Sequence, residues 1–115
     1  LTIILDGNDP IERIHEFKKL SEHEPVDPGA WPERGSASLT TRIGFWAYRN
    51  AADFRDGLTL VARIGGDTDT YGAVAGGLLG AKFGIQGIPQ EWRDVLKGHD
   101  VMIELADKLY ELAHE

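Results

Sequence analysis

The stretch Gly65-Gly66-Asp67-Thr68-Asp69-Thr70-Tyr71-Gly72 decides how this chain is read. It sets two carboxylates two residues apart, with hydroxyls at Thr68 and Thr70, between a glycine pair and an apolar run. Carboxylate and hydroxyl oxygens are the donors that hard cations such as Mg2+ prefer. Crowding two acids at a helix start is unfavourable unless positive charge is supplied there. The bland alternative is a helix N-terminus capped by Asp and Thr, which complement the helix dipole. It accounts for one acid, but not for a second acid with flanking threonines and a Gly-Gly entry.

The run that follows predicts a helix from about Asp69 to Phe83, broken by Gly87-Ile88-Pro89. Gly72, Gly76, Gly80 and Gly84 recur at every fourth position and fall near one face. Each is unfavourable in a helix interior by up to about 1 kcal/mol relative to alanine. Close packing of another helix against this face is the expected reason for them, with direct ligand contact the alternative. Ala73, Val74, Ala75, Leu78 and Leu79 cover much of the rest, so the helix is expected to be buried centrally. Burying it on all sides asks much of short neighbours, a first sign that the chain is not a complete domain.

Upstream, residues 1–5 have the composition of a possible short strand, and Asp6-Gly7-Asn8-Asp9-Pro10 reads as a turn. Asp9, Pro10 and Glu12 make a capping-box-like helix start, and Ile11, Ile14, Phe17 and Leu20 carry a helical period over 10–21. Residues 22–37 hold Pro25, Pro28, Gly29, Pro32 and Gly35, which is loop composition. A helix is expected from Ser38 to about Asn50. Asp53 then caps another, with Phe54, Leu58, Val61 and Ala62 on one face, ending at Gly65-Gly66. Pro89 begins a short helix containing Trp92 and Leu96, which Gly98 stops. The last helix starts near Asp100 with Met102, Leu105, Ala106, Leu109 and Leu112 as its apolar stripe. The class is all-α.

The charge balance narrows the partners. With 12 basic and 19 acidic residues the net charge is −7. Nucleic-acid binding needs clustered Lys and Arg, and anionic membrane surfaces repel such a chain. No run approaches the ~20 apolar residues of a membrane span. The absence of cysteine excludes disulfides and thiolate metal sites and fits a cytoplasmic setting.

Two other acidic motifs fit poorly. An EF-hand loop starting at Asp67 finds Gly72 at position 6, but Tyr71 at position 5 and Leu78 where the bidentate Glu belongs. An aspartyl-phosphatase motif needs an apolar strand before the acids and Thr or Val at Tyr71; Gly65-Gly66 precedes them instead. His15, His23, His99 and His114 have no metal spacing and read as surface or capping residues. Trp92, Trp46 and Phe45 read as core. Arg63 reads as exposed or ion-paired, with reach to a phosphate as the alternative. Asp53 and Asp56 read as helix-start acids.

Gly65-Gly66-Asp67-Thr68-Asp69-Thr70, a small-residue helix, then Ile88-Pro89-x-x-Trp92-x-x-x-Leu96 together resemble the C-terminal signature of the ADP-ribosylglycohydrolase family. That family includes the dinitrogenase reductase-activating glycohydrolases, the ADP-ribosylarginine and ADP-ribosylserine hydrolases and the J-type lens crystallins. The resemblance is strongest over about 58–96, extends across 38–115, and is weak over 1–37. It implies the C-terminal part of a compact, orthogonal helical domain with a dinuclear centre of two Mg2+ ions, or Mn2+ in some members. By resemblance Asp67, Asp69 and Thr70 are metal ligands, with Asp69 bridging the ions. Thr68 is a supporting residue, and Gly65 and Gly66 let the loop approach metals and substrate. The implied reaction is hydrolysis of the glycosidic bond in ADP-ribosylated protein or a related ADP-ribose conjugate.

The family's other signatures, a Gly-rich Gly-Asp segment and a Thr-Asp-Asp segment, are absent. Gly66-Asp67 is the only Gly-Asp pair. The chain is therefore expected to be the C-terminal half of one domain, residues 1–115 supplying half of the metal site. The N-terminal half, expected as a separate, cleaved or missing segment, would carry the catalytic residues. Alone, the chain is expected neither to hold two metals nor to turn over. The alternatives are a non-catalytic, crystallin-like structural relative and an ADP-ribose binder.

Overall fold

The computed structural model describes residues 2–13 and 37–114, and every described element is helical. The helices are α1 (Thr2–Leu5), α2 (Pro10–Arg13), α3 (Ala37–Asn50), α4 (Phe54–Ile64), α5 (Thr68–Phe83), α6 (Gln90–Val95) and α7 (His99–Ala113). A 3-10 turn, Ile85–Gly87, joins α5 to α6. The possible strand at 1–5 is thus a short helix, and Ile4 packs with Phe45, Tyr48 and Leu78. Burial against helices, not β-branched composition, decides its conformation. The helix expected over 10–21 agrees with α2 as far as Arg13. The rest of it, and the loop at 22–36, lie outside the described residues.

The body of the fold is α5 packed across α3 and α4. The main core joins Leu39, Ile43, Trp46 and Ala47 of α3 with Phe54 and Val61 of α4 and Tyr71, Ala75 and Leu79 of α5. On α5 those residues stand at intervals of four, so one stripe faces inward. On α4, Phe54 and Val61 are buried as the period predicts, whereas Ala62 is exposed and Gly57 is buried.

Gly57 and Gly44 carry the close packing that the sequence pattern assigned to the α5 glycines. A Cβ on Gly57 would stand 2.5 Å from Leu79 Cδ1, and one on Gly44 would stand 3.1 Å from Leu78 Cδ1. At Gly72 and Gly80 a Cβ would meet nothing within 4 Å. Of the glycine face of α5, among the described residues only Gly76 approaches a neighbouring helix, where a Cβ would stand 3.9 Å from Leu58 Cδ2 of α4. Nor is α5 buried all round: Ala73 and Gly77 are exposed, and Val74 is 41% exposed.

Local chemistry sets the helix ends. Asp53 Oδ1 accepts from the Asp56 N–H at 2.7 Å, and Asp56 Oδ2 accepts from the Ala52 N–H at 2.9 Å. Helix α5 ends at Phe83, as the sequence predicts, and Gly84, φ +72°, caps it ahead of Gly87-Ile88-Pro89. That conformation suits glycine and not residues with a Cβ. Pro89 holds the position before α6, and α6 closes at Leu96 rather than including it. Gly98, φ +78°, starts α7 rather than ending α6.

Helix α6 is fastened to α4 by aromatic and charged contacts. The Phe54 and Trp92 rings meet edge to face with centroids 6.2 Å apart. The Arg55 guanidinium lies 5.0 Å from the Trp92 ring centroid and pairs with Glu91. On the other side, Lys82 Nζ donates to the Tyr48 carbonyl at 2.6 Å, tying α5 to α3. The stripe of α7 departs from expectation. Met102, Leu105, Leu109 and Leu112 are at least half exposed, and Ala106 is exposed too.

Candidate metal centre

Two consecutive glycines build the approach to the acids. Gly65 and Gly66 have φ of +77° and +73°, and the Gly65 N–H closes α4 on the Ala62 carbonyl at 3.3 Å. Successive left-handed residues reverse the chain within a turn that side chains would strain. The turn delivers Asp67 to the cap position of α5, where its carbonyl accepts from the Tyr71 N–H at 3.1 Å.

The Asp67 side chain makes no capping bond. This separates the two readings of the motif. A helix-capping aspartate satisfies an N–H of the first turn with its carboxylate; Asp53 does so and Asp67 does not. A hydrogen bond from Asp67 foremost, then the N–H groups of Thr70 and of Asp69 itself, holds the Asp69 carboxyl below the usual carboxylate range. Burial opposes this, by more than the Asp69 N–H contributes.

Tyr71 fixes the direction in which the motif points. Its side chain is fully buried in the main core. With Tyr71 inward, Asp69 and Thr70 face solvent while Asp67 and Thr68 are half buried. The structure thus brings Asp67 and Asp69 together at the head of α5, with Thr68 and Thr70 beside them in the first helical turn and Gly65-Gly66 as their entry. Two carboxylates and a hydroxyl at the positive end of a helix, Asp69 and Thr70 exposed and Asp67 half buried, are a donor set that fits a hard cation. Among the described residues, no cluster of three or more Asp, Glu, His or Cys groups completes such a site.

The remaining candidates fall into structural roles. Trp92 packs against the main core, and Trp46 and Phe45 are buried. His114 Nδ1 lies 2.8 Å from the Tyr110 carbonyl, a C-terminal capping contact, and His99 lines a groove under α7. His15 and His23 lie outside the described residues. Arg63 is exposed in the last turn of α4. Sequence reasoning missed two features: the role of Tyr71 as the anchor of the motif, and its hydroxyl, which is buried with no hydrogen-bond partner. The signal for the first was present, since Tyr71, Ala75 and Leu79 share one helical face.

The fold and the site together define a helical protein with an acidic centre at the head of a small-residue helix. The chain belongs to the ADP-ribosylglycohydrolase family, whose model matches residues 5–115. The match reaches well before residue 38, into the segment where the resemblance in sequence was weak. Among curated proteins the chain is similar to the ADP-ribosylarginine hydrolase Tri1 of Pseudomonas putida, 34% identical over 98% of this chain and 33% of that protein. It is also 34% identical to Tri1 of Serratia proteamaculans, over 66% of this chain and 21% of that protein. The ADP-ribosylhydrolase ARH3 of Danio rerio is 45% identical over 43% of this chain and 13% of its own length. The chain thus spans about a third or less of these relatives. No solved structure matches it. Among the described residues no helix is long and apolar enough to cross a membrane.

Proposed function

We propose that this chain is the C-terminal portion of a metal-dependent hydrolase that cleaves the glycosidic bond of ADP-ribosylated protein. The observation that carries the reading is the Asp67 carboxyl, which caps nothing at the head of α5 while a second acid, Asp69, stands two residues on. A structural helix start has no use for that arrangement, and a hard-cation centre does. Family membership supports the substrate class. Two bacterial relatives are named ADP-ribosylarginine hydrolases, which makes ADP-ribosyl-arginine the first linkage to test.

Asp69 would bridge two Mg2+ or Mn2+ ions, and Asp67 and Thr70 would complete one of them. Ions held by these residues would supply Lewis acidity for the ribose hydroxyls and a water. Gly65 and Gly66 present backbone without side chains, leaving room for the ribose to approach. Thr68 supports the loop from its half-buried position. The proton at the leaving group would be handled by a carboxylate on the N-terminal portion, which would also supply the remaining ligands. A cytoplasmic setting fits the cysteine-free composition.

The test is release of free ADP-ribose from ADP-ribosyl-arginine protein by this chain assembled with the rest of the fold. Activity that needs Mg2+ or Mn2+ and is lost in Asp69→Ala is the expected result. Metal-independent binding of ADP-ribose without release would instead place the protein with the non-catalytic relatives.

A further inference from the structure

Buried polar groups in folded proteins are almost always paired, and an exception calls for an explanation. Among the described residues, the Tyr71 hydroxyl and Arg93 Nε are buried without a hydrogen-bond partner. Arg93 still donates through a terminal nitrogen to Gln90. Tyr71 has no such relief. Its side chain is fully buried, and its one polar side-chain atom meets no donor or acceptor. Phenylalanine would fill the same place in the core without leaving a buried group unpaired.

Helix geometry says where the hydroxyl is aimed. A long side chain on a helix leans toward the N-terminus, over the residues three and four positions before it. For Tyr71 these are Thr68 and Asp67. Both are half buried, whereas Asp69 and Thr70 are exposed. The head of α5 thus has an outer pair in solvent and an inner pair one turn above Tyr71, on the same side of the helix. Of the inner pair Asp67 is the stronger acceptor, because an O–H group bonds more tightly to a carboxylate than to a neutral hydroxyl. Its carboxylate is also not committed to capping the helix.

We infer that Tyr71 is a positioning residue of the proposed metal centre, its hydroxyl donating to the Asp67 carboxylate and fixing which way that ligand turns. The inference rests on the reading of Asp67 as a metal ligand. A carboxylate that binds an ion through one oxygen keeps the other free to accept a hydrogen bond. Partners that orient ligands in this way change metal affinity by about 10–100-fold. The ring of Tyr71 holds the helix in the core, and the hydroxyl serves the site.

Tyr71→Phe removes only the hydroxyl. Mn2+ binding to the protein assembled from this chain and the rest of its fold, followed by the electron paramagnetic resonance of free Mn2+, measures the effect without reference to turnover. Tyr71→Phe is expected to weaken Mn2+ binding about tenfold or more, while the melting temperature of the chain alone holds or rises. Asp67→Glu keeps the charge but moves the carboxylate off the hydroxyl. In that background Tyr71→Phe is expected to change binding by less than about twofold, because two groups that act through one bond are not additive. In a Thr68→Val background its full effect is expected to remain. Tyr71→Phe binding Mn2+ within about twofold of the parent overturns the inference, and so does a full further loss on top of Asp67→Glu. A parent protein that binds no Mn2+ contradicts the metal reading itself, and the inference falls with it.

Discussion

Gly57 lies against Leu79 so closely that a Cβ on the glycine would stand 2.5 Å from Leu79 Cδ1. The contact sets how near α4 approaches α5, and so where the Gly65-Gly66 turn delivers the acids. Gly57→Ala is expected to destabilise the chain by about 1–3 kcal/mol, the usual effect of overpacking. Gly77→Ala, where a Cβ meets nothing within 4 Å, is expected to stabilise it by about 1 kcal/mol. Urea denaturation of the two variants side by side measures both signs.

Tyr71 holds α5 in rotation through its ring and not through its hydroxyl, which has no partner. Tyr71→Phe is expected to leave stability within about 1 kcal/mol of the parent or to raise it, since it removes a buried unpaired group. Tyr71→Ala is expected to cost about 3–5 kcal/mol, as a large buried ring is lost. Comparable losses in both variants would show that the hydroxyl has a partner after all.

The Asp53 cap is the ordinary counterpart of Asp67. Asp53→Ala is expected to cost about 1 kcal/mol, because an N–H at the start of α4 loses its acceptor. Asp67→Ala is expected to cost little, since its side chain caps nothing. Thermal melts of the two variants test this difference directly.

Glu91 links the α4–α6 junction to pH. Its own N–H first, then the Arg55 guanidinium, hold its carboxyl below the ordinary glutamate value. A depressed folded-state pKa contributes stability that is fully present above the unfolded value, about 4.3. It is lost as pH falls through the lower, folded value. Glu91→Gln is therefore expected to flatten the acid limb of stability below about pH 4.3 and to leave its shape near neutrality unchanged. The effect is small, because the pair is exposed. Equilibrium unfolding between neutral and acid pH, with and without the substitution, measures it.

Much of the fold was legible because local signals agreed with one another. Asp53 as cap, Gly65-Gly66 as terminator and the Tyr71-Ala75-Leu79 face all rest on chemistry within a few residues. The same holds for the placement of the acidic motif at the head of α5. What escaped depends on contacts distant in sequence. The α5 glycines promised a packed face, yet the packing glycines are Gly44 and Gly57 on its neighbours. Periodicity says that a face is apolar or small; it does not say which helix fills it. The stripe of α7 was read correctly as apolar, but its exposure depends on what lies beside it, which no local pattern encodes.

The central claim is that Asp67, Asp69 and Thr70 form part of a two-metal hydrolase centre. Metal analysis of the protein assembled from this chain and the rest of its fold tests that claim most directly. Close to two Mg2+ or Mn2+ per molecule, lost in Asp69→Ala with the helical content preserved, is the predicted result. An assembled protein that binds no metal at millimolar concentration, or an Asp69→Ala variant that keeps both ions, would contradict it.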